Sequence, residues 1–136
     1  MQRTSGRRRS PARIWAVLRY RFWAAITQAD MPPEASVAGG LLMPHPNGIV
    51  VHPDSVIGPN CLLMQQVTLG VDGRGGGAPT LGGHVDVSAG AKIIGAITVG
   101  DHALIGANAV VVRDVEPRAI MVGVPARCIG YRDEDA

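Results

Sequence analysis

Aromatic side chains make up only 4% of these 136 residues, so rings cannot fill the core. Small aliphatic residues must do so. Together with 18 glycines, that favours flat, closely stacked strands over a helix bundle. Cysteine is also scarce. Cys61 and Cys128 are too few for a disulfide framework, which makes the cytoplasm the expected compartment. No long apolar run is present. Residues 14–26 are partly apolar, but Arg19 and Arg21 interrupt them, and the stretch is too short to span a bilayer. It also lacks the clean apolar segment of a signal peptide. Net charge is small, +2, but unevenly placed. Arg3, Arg7, Arg8, Arg9 and Arg13 crowd one end, and Asp133, Glu134 and Asp135 the other. A basic arm can hold nucleic acid or anionic lipid. With no aromatic residue interleaved, this one reads as a solvated tail, and neither a nucleic-acid partner nor a membrane span is expected.

What the chain does have is a period of six. From Leu81 an aliphatic residue recurs at Val87, Ile93, Val99, Ile105 and Val111. Four positions after each comes a second small or branched residue: Val85, Ala91, Ile97, Ala103, Ala109 and Val115. The earlier half repeats this with Val51, Ile57, Leu63 and Leu69, and with Ser55, Cys61 and Val67 in the small slot; Val37 and Met43 extend it backwards. Neither an alternating strand nor an amphipathic helix has that period. It is the signature of a parallel β-helix. Three hexapeptides close one triangular coil, so residues ~18 apart stack at roughly the 4.8 Å strand spacing. The aliphatic position points into the prism, and the small slot lets the corner close.

Two places break the rhythm. Met43 and Val51 are two residues too far apart, around His45-Pro46-Asn47-Gly48. Between Leu69 and Leu81 no aliphatic residue falls at position 75, so Gly70 to Pro79 should leave the prism as a loop. In a regular scaffold such departures are where function is expected. Residues 12–27 read as one helix, with Pro11 in its first turn and Pro32-Pro33 beyond its end. It should cap the open end of the prism. The expected organisation is a basic arm and short capping helix over 1–29, a β-helix over 30–120, and an extended tail over 121–136.

Four histidines need sorting. His45 lies in the repeat-breaking bulge between Pro44 and Pro46, where a kinked, rigid backbone would present it to a cleft; a surface turn is the plain alternative. Asp30, 15 residues earlier, is slightly less than one coil away. A carboxylate on one ring nitrogen fixes the tautomer and makes the other a better base. The plain alternative is a helix-end aspartate. His84 and His102 occupy the same slot 18 residues apart and should stack. They invite a metal reading, but His52 and His45 sit at other slots, and a third ligand would have to come from a neighbouring copy, as in hexapeptide-type carbonic anhydrases.

At this point the chain resembles the hexapeptide-repeat acetyltransferases, and within them the serine acetyltransferase family. The matching segments are Asp30-Met31-Pro32-Pro33, Pro44-His45-Pro46-Asn47-Gly48-Ile49-Val50-Val51, Gln66-Val67-Thr68-Leu69-Gly70, Ser88-Ala89-Gly90-Ala91-Lys92-Ile93-Ile94-Gly95, Ile105-Gly106-Ala107-Asn108-Ala109-Val110-Val111 and Val122-Gly123-Val124-Pro125-Ala126-Arg127. The resemblance implies a left-handed β-helix, acetyl-CoA as co-substrate with no metal, and a homotrimer with sites between subunits. It puts His45 on the catalytic histidine and Asp30 on the aspartate that orients it. It implies a CoA groove along Gly70, Ala89 and Ala107, with the tail near Arg127.

The expected chemistry is direct transfer to a hydroxyl of a small molecule, with His45 as general base and a backbone N–H, that of Gly70, steadying the oxyanion. The chain departs from the family in three ways. Pro44 replaces the Asp usual before the histidine. Gly77-Ala78 stands where the family loop carries Arg-His. One short helix replaces a large helical domain. These changes leave fold and donor in place and open the acceptor to either serine or a sugar-like compound. A non-catalytic β-helix scaffold, or a metal-dependent carbonic-anhydrase-like protein, are the competing readings.

Overall fold

The computed structural model describes residues 10–134. Arg3, Arg7, Arg8 and Arg9 of the basic arm, and Asp135 of the acidic tail, lie outside the described residues. Each hexapeptide contributes one very short strand, because the chain must turn a corner every six residues. In chain order the strands are β1 (Ser36–Val37), β2 (Val50–Val51), β3 (Val56–Ile57), β4 (Leu62–Leu63), β5 (Thr68–Gly70), β6 (Thr80–Leu81), β7 (Asp86–Val87), β8 (Lys92–Ile94), β9 (Thr98–Val99), β10 (Leu104–Ile105), β11 (Val110–Val111), β12 (Ala119–Val122) and β13 (Arg127–Tyr131). They form three faces: β2-β5-β8-β11, β1-β3-β6-β9 and β4-β7-β10-β12-β13. All pairings are parallel except the last, so the protein is a parallel β-helix.

The register reproduces the sequence's arithmetic. Regular rungs pair residues 18 apart, as Lys92 with Val110 and Asp86 with Leu104. Across the His45 bulge the spacing is 20, as Ser36 with Val56, and across the loop it is 24, as Thr80 with Val56. The two extra residues and the excursion are therefore absorbed outside the stack. Val51, Leu69, Ile93 and Val111 meet on one inner column and are all buried. The small slots Cys61, Val67, Val85, Ala91, Ala103 and Ala109 are fully buried too. Ile97 is only half-buried, and Val37 is 38% exposed at the unfinished first coil. Corners need a left-handed residue, and Asn60, Gln66, His84, His102 and Asn108 supply it with φ of 55–63°. Asn and His tolerate that region better than most side chains.

The helix α1 runs Pro11–Thr27, capped by the Ser10 side chain at Arg13 N and by a left-handed Gln28. Its existence matches expectation, but its packing does not. No residue of α1 is buried, and Trp15 is 68% exposed. The helix therefore buries no face of its own within the single chain, and its side-chain tie to the prism is the hydrogen bond from Tyr20 to Asp30. Among the described residues, no helix is long and apolar enough to cross a membrane. At the other end the extended tail is not free. β13 folds back antiparallel on β12, and Arg118 grips the Arg132 carbonyl through Nε and Nη2 at 3.1 and 2.9 Å.

Candidate functional site

His45 sits just before β2, at the edge where the β4-β7-β10 face turns into the β2-β5-β8-β11 face. Backbone bonds trace that edge from coil to coil: Gln66 N–H to Asn47 O, Gly90 N–H to Gln65 O, and Asn108 N–H to Ala89 O, each 2.9 Å. The bulge is pinned on its other side by Gly48 N–H to Gln28 O, also 2.9 Å. Gly48 has φ of 69°, and a side chain there would strike the Gln66 amide. Glycine takes this left-handed turn without strain, whereas a larger residue would have to displace the Gln66 amide. The outcome is an imidazole held out on an anchored backbone, exposed within the single chain.

Ala89 and Ala107 lie further along the same edge as His45. Gly70 does not: it ends β5 at the opposite edge of the face, paired with Ile94. Its N–H is also committed. The ladder runs from Thr68 N–H on Ala91 O to Gly95 N–H on Gly70 O, and a parallel ladder of that phase spends the intervening Gly70 N–H on Ile93. The oxyanion role expected of Gly70 is therefore unavailable. Arg127 is exposed at the start of β13, with Nη1 donating to the Ala126 carbonyl at 3.1 Å. The excursion 71–79 leaves from the Gly70 edge; its turn is held by Arg74 N–H to Asp72 Oδ1 at 2.9 Å. Arg74 thus emerges on the far side of the face from the same chain's His45.

Asp30 is drawn into the first rung of the same face. It bridges Val50, with Asp30 N–H on Ile49 O at 2.7 Å and Val51 N–H on Asp30 O at 2.8 Å. No hydrogen bond joins its carboxylate to His45 within the chain. Instead Tyr20 Oη donates to Asp30 Oδ1 at 2.6 Å. Partial burial, then the hydrogen bond to Asp30, push the Tyr20 phenol up to about 12, so it remains a donor at neutral pH. Tyr20 is the residue sequence reading missed. Its only signal is a polar tip on a helix ten residues before the aspartate, and the turn at Gln28 that folds the two together has no motif.

The other candidates fall into structural roles. His84 and His102 do stack, with ring centroids 4.8 Å apart and planes within 4°. Parallel rings aim their lone pairs in parallel planes, so the pair does not converge on one ion. Cys61 is buried with its thiol on the Gly82 carbonyl at 3.1 Å, and burial pushes its pKa up, the wrong direction for a nucleophile.

No family model matches the chain. Individual proteins do. The serine acetyltransferase of Mycobacterium tuberculosis is 39% identical over 121 residues, which is 88% of this chain and 53% of that protein. Soybean serine acetyltransferase complexed with serine superposes with a TM-score of 0.79 at 40% identity, over 89% of this chain and 51% of the other. Serine acetyltransferase from Brucella abortus in complex with coenzyme A gives a TM-score of 0.82 at 35% identity, over 89% and 49%. The chain spans about half the length of the relatives it matches.

Proposed function

We propose that this chain, a homologue of serine acetyltransferases over most of its length, is an acetyl-CoA-dependent O-acetyltransferase on a left-handed β-helix, with His45 as general base. The observation that carries the proposal is the His45 bulge: the one place where two residues are added to the stack also holds an exposed imidazole on an anchored turn, along the edge of Ala89 and Ala107. Neutral His45 takes the proton of an acceptor hydroxyl as that oxygen attacks the thioester carbonyl. The C–O bond forms, the C–S bond breaks, and the imidazolium returns the proton to the departing thiolate. No acetyl-enzyme is needed. We assign the CoA groove to Gly70, Ala89, Ala107 and Arg127, with Gly70 contributed across the interface of a homotrimer, since it lies at the opposite edge from His45. Leu42, 62% exposed, and Val50, 43% exposed, flank the bulge and suit coverage by a neighbouring copy. The test is release of CoA thiol from acetyl-CoA with L-serine and a panel of sugars. No release above background with any acceptor would favour the scaffold reading.

Asp30 is assigned to orienting His45, and Tyr20 to orienting Asp30. One carboxylate oxygen held by the phenol leaves the other free to turn toward the ring. Tyr20→Phe should therefore lower kcat by about tenfold, a loss typical of a removed charge-assisted hydrogen bond. KM for acetyl-CoA should hold, because the groove is untouched. Steady-state kinetics decides it: unchanged kcat would mean the Tyr20–Asp30 bond is only structural.

The acceptor is the least constrained part. A free serine carries a carboxylate that Arg is best shaped to hold. Arg74 sits several residues before Gly77-Ala78, where the family resemblance implies an Arg-His pair, in a loop where Gly73, Gly75 and Gly77 all take positive φ. Swinging it onto an acceptor carries an ordering cost. Pro44 also removes a carboxylate that could receive an ammonium group. L-Serine should be acetylated with a KM above the ~1 mM end of the usual range, and a sugar-like hydroxyl should turn over better. A sub-millimolar KM for serine would overturn this reading of the loop.

A further inference from the structure

Helix α1 carries a face that neither the prism nor the acetyl-transfer proposal uses. Trp15, Leu18, Phe22 and Ile26 recur at three- and four-residue spacing, and each is more than half exposed. The direction of that stripe follows from Tyr20. Its hydroxyl is tied to Asp30, so Tyr20 faces the prism. Leu18 and Phe22 each lie two residues away, about 200° around the axis, and so face outward. An apolar stripe turned away from its own core is a docking surface.

Charge names the occupant. Seven of the thirteen basic residues precede Asp30, and none of the eleven acidic ones does. The prism and tail beyond it therefore carry an excess of acid. Arg19 and Arg21 stand on either side of the stripe in the helical projection, and Arg3, Arg7, Arg8 and Arg9 precede it in the chain. Both tryptophans, the single phenylalanine and one of the two tyrosines lie in this helix. Tryptophan, phenylalanine and leucine beside arginine are the composition of a helix that lies in a membrane interface, with the apolar side in the acyl boundary and the cations at the headgroups. A protein partner burying the same stripe would have to match arginines on both flanks with placed carboxylates. Seven charges of one sign with none of the other make a field, which an anionic surface answers without register.

We propose that α1 docks this protein on an anionic lipid surface, lying in the plane of the interface with the acidic prism standing off into water. The proposal is independent of the acetyl-transfer reading. The full chain is floated with phosphatidylglycerol–phosphatidylcholine vesicles and with phosphatidylcholine vesicles alone, while tryptophan emission and lipid-free sedimentation are followed. Expected are binding to the anionic vesicles only, weakening as salt rises, with a blue shift of emission. Arg19→Gln with Arg21→Gln should cost at least about tenfold in vesicle affinity. Phe22→Ser should remove the blue shift and leave the lipid-free assembly unchanged; because no residue of α1 is buried, both variants should fold. Equal binding to neutral vesicles, no binding to either, or binding without a blue shift would overturn the proposal. So would dissociation of the lipid-free assembly by Phe22→Ser, which would make a second copy of the chain the occupant.

Discussion

His45→Ala should lose at least about a hundredfold in turnover while folding and binding CoA as before. General-base catalysis supplies about 10²–10⁴ in rate, and the assigned mechanism has no second group to replace the imidazole. The fold should not notice the change. His45 is exposed, and the bulge is closed by backbone bonds from Gly48 to Gln28 and from Gln66 to Asn47 that do not involve the ring. A thermal shift with CoA checks that the groove survives, and thiol release with the best acceptor gives kcat. His84→Asn is the matched control, since it removes a ring with no assigned part in the chemistry and keeps a residue that tolerates the left-handed corner. Wild-type turnover in the His45 variant would remove the proposed mechanism altogether. The loss for Tyr20→Phe should be smaller, because that residue acts through Asp30 and never holds the transferred proton.

The largest effect on stability should come from the inner column. Ile93→Ala is expected to cost about 2–5 kcal/mol, against the ~5–15 kcal/mol of an entire domain. Ile93 is fully buried, with Leu69 on one neighbouring coil and Val111 on the other. Its strand is clamped by parallel ladders on both sides, so the coil has little freedom to collapse into the cavity. Urea unfolding at one fixed protein concentration measures the cost, because association contributes to apparent stability. Val110→Ala, on the outer side of the neighbouring rung, should cost far less. Equal midpoints for wild type and Ile93→Ala would contradict the packing described here.

The β-helix was legible because a hexapeptide fold is nearly one-dimensional. Every residue at the aliphatic slot meets only its counterparts one coil away, so the period of six specifies register, inner face and corners together. The columns from Val51 to Val111 and the 20- and 24-residue rungs follow from counting. The histidine stack follows as well, since equal slots one coil apart must superpose. His45 was legible as a break in that count, and the same count predicted a loop from Gly70 to Pro79, one residue too early because Gly70 stays in β5 paired with Ile94.

Where the chain leaves the period, counting gives no direction. Spacing put Asp30 near the first coil, but only the folded turn at Gln28 shows that its carboxylate is met by Tyr20. The apolar residues of α1 are the pattern of a buried helix, yet they lie exposed, because the Tyr20 tether sets which side faces the prism. Gly70 and Ala89 share a sequence motif role but occupy opposite edges of one face, and the phase of a ladder commits the Gly70 N–H. The sequence alone thus determined the stack, its register and the location of the bulge, since local repetition encodes all three. Tertiary structure decided which side chains meet at the bulge and which way the helix looks, because those depend on a single non-repeating turn whose course no periodic pattern records.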